Sequence, residues 1–186
     1  MSNYKEIVPF FYKWEGGLSR DKNDSASYNP CPTPYNGVKG YHTNKGVTYT
    51  AWVGIFGTNN DARFYEMNNN DWGLIFKRGY WDKVKGDKIQ YQSIANVLVS
   101  WAWGSGARTA VKQMQRVLGI SDDGVIGSQT LNAIHAYNEV ELFDECIIAR
   151  GQFFERIARR NPKNLKFLKG WLNRLHDFNK KFRPIK

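Results

Sequence analysis

Trp14-Glu15-Gly16-Gly17-Leu18 places one carboxylate at the end of an apolar helical pattern and then lets the chain turn. Upstream, Ile7, Phe10, Phe11 and Trp14 recur at helical spacing, so one face of this segment is expected to pack on a core. The two glycines are expected to end the helix. A carboxylate at that junction has an apolar helix on one side and a solvent-reachable turn on the other. Partial desolvation disfavours the charged form, which would raise its pKa and suit it to donate a proton. The plainer alternative is an exposed glutamate in a helix-terminating turn.

Size and charge bound the possibilities. A chain of 186 residues fits one compact domain, or a domain with a smaller lobe, and can bury a real core. Its net charge of +10, from 27 basic and 17 acidic residues, favours polyanionic surroundings: nucleic acid, anionic membrane or an anionic cell wall. Lys5, Glu6 and Lys13 interrupt the segment before Glu15, so no apolar signal-peptide core is read there. No apolar run approaches the ~18 residues of a spanning helix, since Ile94 to Trp103 is broken by Asn96 and Ser100, and no stable membrane insertion is expected. Cys31 and Cys146 have one disulfide open to them, but with no export signal read, two free thiols are the default expectation. No metal-ligand spacing links them with His42, His135 or His176, so no metal is expected.

Taken in order, the chain reads as mainly α. Asn3 and Glu6 have capping-box spacing, which starts a helix near Tyr4, whereas Pro9 favours a start near Lys5 or Glu6 that leaves proline in the first turn. Ser19 to Tyr41 is rich in Asn, Pro, Gly, Ser and Tyr and reads as loop with room for a short hairpin. Thr48 or Thr50 can cap a helix carrying Trp52, Val53, Ile55 and Phe56 up to Gly57. Asp61 can cap a helix through Met67, and Asp71 another through about Tyr80. Ile94 to Trp103 is apolar around nearly the whole helix, which marks a buried central helix beginning at Ser93. A helix follows from Arg108 to Leu118. Asp122-Asp123-Gly124-Val125-Ile126-Gly127 then makes a turn, with Ser128 capping a helix through about Tyr137. Two long helices close the chain, near Val140 to Arg160 and Leu165 to Phe182, and their positive ends include Arg156, Arg159, Arg160, Lys180, Lys181, Arg183 and Lys186.

Several of these pieces, in this order, resemble one known family. Glu15-Gly16-Gly17, the aspartates six and nine residues after Glu15, and Thr43-Asn44-Lys45-Gly46-Val47-Thr48 resemble the start of glycoside hydrolase family 108. These are lysozyme-like N-acetylmuramidases found in phage endolysins and bacterial relatives, some of them labelled secretion activators. Tyr80-Trp81-Asp82, Gly104-Ser105-Gly106 and the Asp123-Gly124-Val125-Ile126-Gly127 turn continue the resemblance, the last within a peptidoglycan-binding-like region. Leu18 stands where the family often has tyrosine, Gly104 where it often has asparagine, and the first loop is longer than usual.

The resemblance implies a lysozyme-like helical fold with a small irregular or β-hairpin lobe after the first helix. Residues 1–90 would form the catalytic region and 91–186 a helical peptidoglycan-binding-like region packed into the same unit. Glu15 matches the family's catalytic glutamate and becomes the general acid. Phage-type lysozymes use a glutamate, an aspartate and a threonine in that order, which points to Asp24 and Thr48 as catalytic partners, with Asp21 as the competitor for the second carboxylate. Tyr49, beside Thr48, is the expected sugar contact, and Asp21 is the other substrate-side residue. Tyr80 and Trp81 are expected to support the cleft from below. The expected substrate is the glycan strand of peptidoglycan, cleaved by a monomer without a cofactor. The protein would be made in the cytoplasm and reach the wall by release or non-classical export. A non-catalytic wall-binding module is the competing reading, and a nucleic-acid binder has only the charge in its favour.

Overall fold

Residues 1–58 and 60–185 are described by the computed structural model, apart from the Ser25 side chain; Lys186, counted above with the C-terminal basic residues, lies outside them. The apolar spacing before Glu15 becomes two pieces. Asn3 caps a 3-10 turn, Tyr4–Glu6, by accepting from the Lys5 amide, and α1 (Val8–Trp14) follows with Pro9 in its first turn. Both readings of the N-terminus are therefore met in part. Ile7, Phe10 and Phe11 are fully buried, whereas Trp14 is half-buried.

The chain divides into two compact units, Val8–Gly79 and Met1–Ile7 together with Tyr80–Lys186. In the first, α1 is followed by a long irregular segment holding one 3-10 turn, Ser25–Tyr28. A two-stranded antiparallel hairpin comes next, β1 (Thr43–Asn44) with β2 (Val47–Thr48), then α2 (Tyr49–Phe56), α3 (Asp61–Tyr65) and α4 (Asn69–Phe76). Aromatic rings fill its core. Phe11 meets Phe76 edge-on at 4.8 Å, Trp72 stacks on Phe76 at 5.0 Å, and Trp52 lies 4.4 Å from Phe56.

The caps differ from expectation in an informative way. Thr48 caps α2, its hydroxyl accepting from the Ala51 amide at 3.1 Å, and Gly57 ends that helix at φ +76°. Asp61, expected to cap α3, is its first residue. Its carboxylate turns to other partners, accepting from the Tyr49 hydroxyl at 2.6 Å and from Thr33 at 3.0 Å. Asp71 likewise is not the cap of α4: Asn68 takes that place, accepting from the Asp71 amide at 2.9 Å. The Asp71 side chain is buried and ion-paired with Arg63. In both corrections a tertiary partner draws the carboxylate away from the helix end.

The second unit is built on α5 (Gln92–Ser105), which is buried from Ser93 to Ala102 around its whole circumference. It packs on α6 (Ala107–Val117) and α8 (Glu139–Arg160), and α9 (Leu165–Phe182) packs on α8. Between them, α7 (Ser128–Ala136) follows the Asp-Gly turn. Gly127, not Ser128, occupies the cap position of α7, and Ser128 is already helical. In the turn, Asp123 accepts from the Val125 amide at 2.8 Å and from Gln115 at 2.7 Å, while Ile126 is buried. Those are the contacts of a tight turn filling a core gap. Before α5, Trp81 is fully buried and donates to Asp87 at 2.7 Å, and Tyr80 lies 4.6 Å from Trp103. Cys31 and Cys146 are buried free thiols. Among the described residues no helix is long and apolar enough to cross a membrane, and no group of three His, Cys, Asp or Glu could hold a metal.

Candidate active site

The hairpin supplies the seat for Glu15. Lys45 and Gly46 link β1 to β2 with φ values of +47° and +74°, the pair of left-handed residues that a two-residue hairpin turn of matching twist requires. That turn is held from three sides. Lys45 Nζ donates to the Met67 carbonyl at 2.6 Å, Trp72 Nε1 donates to the Lys45 carbonyl at 3.0 Å, and buried Asn44 donates to the Phe64 and Tyr65 carbonyls at 2.7 and 3.1 Å. Removing the Asn44 amide strands two buried carbonyls. Asn44→Ala is therefore expected to cost about 1–3 kcal/mol, read as a lower urea midpoint at unchanged m-value.

Glu15 reaches this seat from the end of α1. Its amide still bonds to the Phe11 carbonyl at 2.9 Å, continuing the helical pattern one residue past Trp14. Gly16 and Gly17 then turn away without entering the left-handed region, and added Cβ atoms on them would meet nothing within 4 Å. They end the helix without a left-handed cap. The carboxylate is half-buried, its Oε1 fully so, and it lies directly against Gly46: a Cβ built on Gly46 would stand 1.9 Å from Glu15 Oε2. Only glycine leaves room for the acid there.

A short third strand segment completes the lobe. Ser19 bridges to Thr43, with the Ser19 amide on the Thr43 carbonyl at 2.8 Å and the His42 amide on the Ser19 carbonyl at 3.0 Å. Thr43 pairs in turn with Thr48. Residues directly opposite each other share a face, so Ser19, Thr43 and Thr48 form one row, half-buried, while His42, Asn44 and Val47 point inward and are buried. The Thr48 hydroxyl accepts the α2 cap bond and keeps a proton to donate.

Asp24 joins the lobe through His42. One carboxylate oxygen accepts from the Ala26 amide at 2.9 Å as cap of the 3-10 turn, and the other lies 3.7 Å from His42 Nε2. His42 is 1% exposed and that nitrogen has no hydrogen bond, so the Asp24 carboxylate is a charge standing beside a buried, unsatisfied ring nitrogen. Asp21 is engaged with its own turn, accepting from the Asn23 amide at 2.9 Å and the Asn23 side chain at 3.1 Å. Tyr49 is 4% exposed, edge-on to Phe64 at 5.5 Å, with its hydroxyl on Asp61. Burial, then the Asp61 bond and charge, push its phenol well above the ordinary value. The residue expected to touch sugar thus stands inside the wall of the lobe.

The structure therefore joins Glu15 to the hairpin that carries Thr48, and Asp24 to the strand beside it. His42 and the seating role of Gly46 were not foreseen. A lone histidine in a loop gives no spacing signal, and a glycine in a turn gives no hint of what presses on it.

The match of residues 8–106, just over half of the 186-residue chain, to the family described as glycosyl hydrolase 108 decides the assignment. The chain belongs to glycosyl hydrolase family 108. Residues 109–176 match a second family, described as "Predicted Peptidoglycan domain". Among solved structures, one titled "Structure of Brucella abortus SagA" is similar, with a TM-score of 0.77, 24% identity, and coverage of 98% of this chain and 96% of that one. At that identity the likeness supports the fold. No curated protein sequence matches the chain. With a family 108 region followed by a peptidoglycan domain, the chain is a glycoside hydrolase whose substrate is peptidoglycan.

Proposed function

We propose that this family 108 protein is an N-acetylmuramidase that hydrolyses the β-1,4 bond between N-acetylmuramic acid and N-acetylglucosamine, with Glu15 as general acid. The observation that carries the proposal is the packing of the Glu15 carboxylate against Gly46 at the hairpin turn. It fixes a partly desolvated acid beside the lobe that holds Thr48 and Asp24. In this reading Glu15 protonates the leaving oxygen, Asp24 stabilises the oxocarbenium-like charge or activates water, and the Thr48 hydroxyl places that water. Residues 1–90 carry the catalysis and 91–186 hold the wall. Action is at the cell wall, after release or non-classical export, as in an endolysin.

The deciding experiment is turbidity loss of purified peptidoglycan followed by mass analysis of the soluble fragments. Muramic acid at the new reducing ends supports the proposal; glucosamine at those ends, or no release, overturns it. A second reading, a wall-binding module without turnover, has one observation in its favour: Asp24 and Thr48 are both engaged in caps. Absence of release by the wild type would favour that second reading; Asp24→Asn tests the role of Asp24 within the first, because asparagine caps as well as aspartate but carries no charge. Expected is a loss of at least about tenfold in kcat, small beside the 10²–10⁴ of a general acid, with unchanged melting. Full activity in that variant would reduce Asp24 to a brace and transfer the role to Asp21.

A further inference from the structure

The Tyr80–Lys186 unit holds a second concentration of chemistry that the glycosidase reading does not use. Residues of α5, α8 and α9 line a partly open cavity of about 140 Å³. Arg150, in the middle of α8, is 5% exposed and lines it. Ser100 fixes that guanidinium in place: Nη1 donates to its hydroxyl at 2.9 Å and Nη2 to its carbonyl at 2.8 Å. Nε is buried with no hydrogen-bond partner. The Phe154 and Phe178 rings lie beneath the guanidinium at 5.4 and 6.0 Å. Arg174, from α9, lines the same cavity.

Arg150 and Arg174 thus both line this partly open cavity, and among the described residues its lining holds no acidic side chain. Burial, and then the Arg174 charge, lower Arg150 to about 9, which leaves it protonated near neutral pH. A buried cation with an unsatisfied donor is costly, and a bound anion relieves that cost at Arg150. The remaining wall, including Trp103, Ile157 and Trp171, is largely apolar, so the anion should carry a small apolar group. Size narrows the choice. A cavity of roughly 150 Å³ holds benzene, about six heavy atoms, which is room for an alanine-sized carboxylate.

We infer that this cavity binds the terminal carboxylate of a short peptide ending in a small residue, as the D-alanyl end of a peptidoglycan stem peptide does. The inference rests on peptidoglycan being the substrate. It gives the helical unit a peptide ligand distinct from the glycan that meets Glu15, and directs the enzyme to wall regions where stem peptides are not cross-linked.

The test follows the indole N–H signals of Trp103 and Trp171 in the ¹⁵N-labelled full chain during titration. The probes are N-acetyl-D-alanyl-D-alanine, its C-terminal amide, and inorganic phosphate. The dipeptide is expected to give saturable shifts, with at least tenfold weaker binding for the amide and for phosphate. Arg174→Gln should weaken the dipeptide at least tenfold. So should Ile157→Glu, which brings a competing carboxylate to the wall and leaves Arg150 and its Ser100 bonds untouched. No shift in the wild type, or equal binding of the amide, overturns the inference, and phosphate binding as tightly as the dipeptide overturns the peptide assignment. The glycosidase proposal is read separately: wall cleavage without dipeptide binding sinks only this site, and dipeptide binding without wall cleavage sinks only the muramidase reading.

Discussion

Glu15→Gln is expected to lower the release of reducing ends from peptidoglycan by about 10²–10⁴-fold, the usual weight of a general acid, while leaving the melting temperature nearly unchanged. The asymmetry follows from the site. Glutamine has the volume and shape of glutamate, so it fills the space against Gly46 that the carboxylate fills. What it lacks is the acidic proton that, in the proposed mechanism, reaches the leaving oxygen. Binding to insoluble peptidoglycan should persist, because the helical unit is untouched by the change. A variant that melts normally, binds the wall and still cleaves it at the wild-type rate would remove Glu15 from the mechanism. A variant with lost activity and a much lower melting point would leave the assignment without support, since unfolding alone would explain it.

How much of this was legible beforehand depended on whether the deciding partner lay near in sequence. The buried central helix was readable from Ile94 to Trp103, because a segment apolar on every side has no solvent face to present. The Thr48 cap was readable because its partner, the Ala51 amide, is three residues away. The bounds of α9 were recovered as Leu165–Phe182, and Asn138 capping α8 moved the other long helix by only one residue, to Glu139. Asp61 and Asp71 were misplaced as caps because their partners, Tyr49 and Arg63, are set by tertiary packing that no local pattern reveals. Tyr49 illustrates the same limit. A tyrosine next to a site threonine reads as a sugar contact, but the first turn of α2 points it inward, onto Phe64 and Asp61. At the site itself, the glutamate and the Thr43–Thr48 segment could be named from their motifs, whereas the hairpin was read into Ser19 to Tyr41 and forms at Thr43–Thr48. The contact between glutamate and hairpin could not be named, since it links residues some thirty positions apart through a space that only a missing side chain provides.

That missing side chain gives the most demanding test of the geometry. Gly46→Ala is expected to lower cleavage by about a hundredfold or more, the loss that an ångström-scale misplacement of a catalytic group can bring. The substitution leaves the carboxylate chemistry of Glu15 intact. Its Cβ would lie 1.9 Å from Glu15 Oε2 and 2.4 Å from Cδ, distances at which one of the two must move. The hairpin has little freedom to yield, because Lys45, Asn44 and Trp72 tie it to the helical part of the unit. The acid therefore moves. Position 46 also sits at φ +74°, where an L residue costs about 1–2 kcal/mol, so a modest fall in melting temperature should accompany the loss. Gly37 provides the control: it too has positive φ, at +76°, yet an added Cβ there meets nothing within 4 Å. Gly37→Ala should show a similar backbone cost with activity retained. If the two variants lose activity equally, backbone strain rather than displacement of Glu15 is the cause, and the hairpin turn is not the seat of the acid.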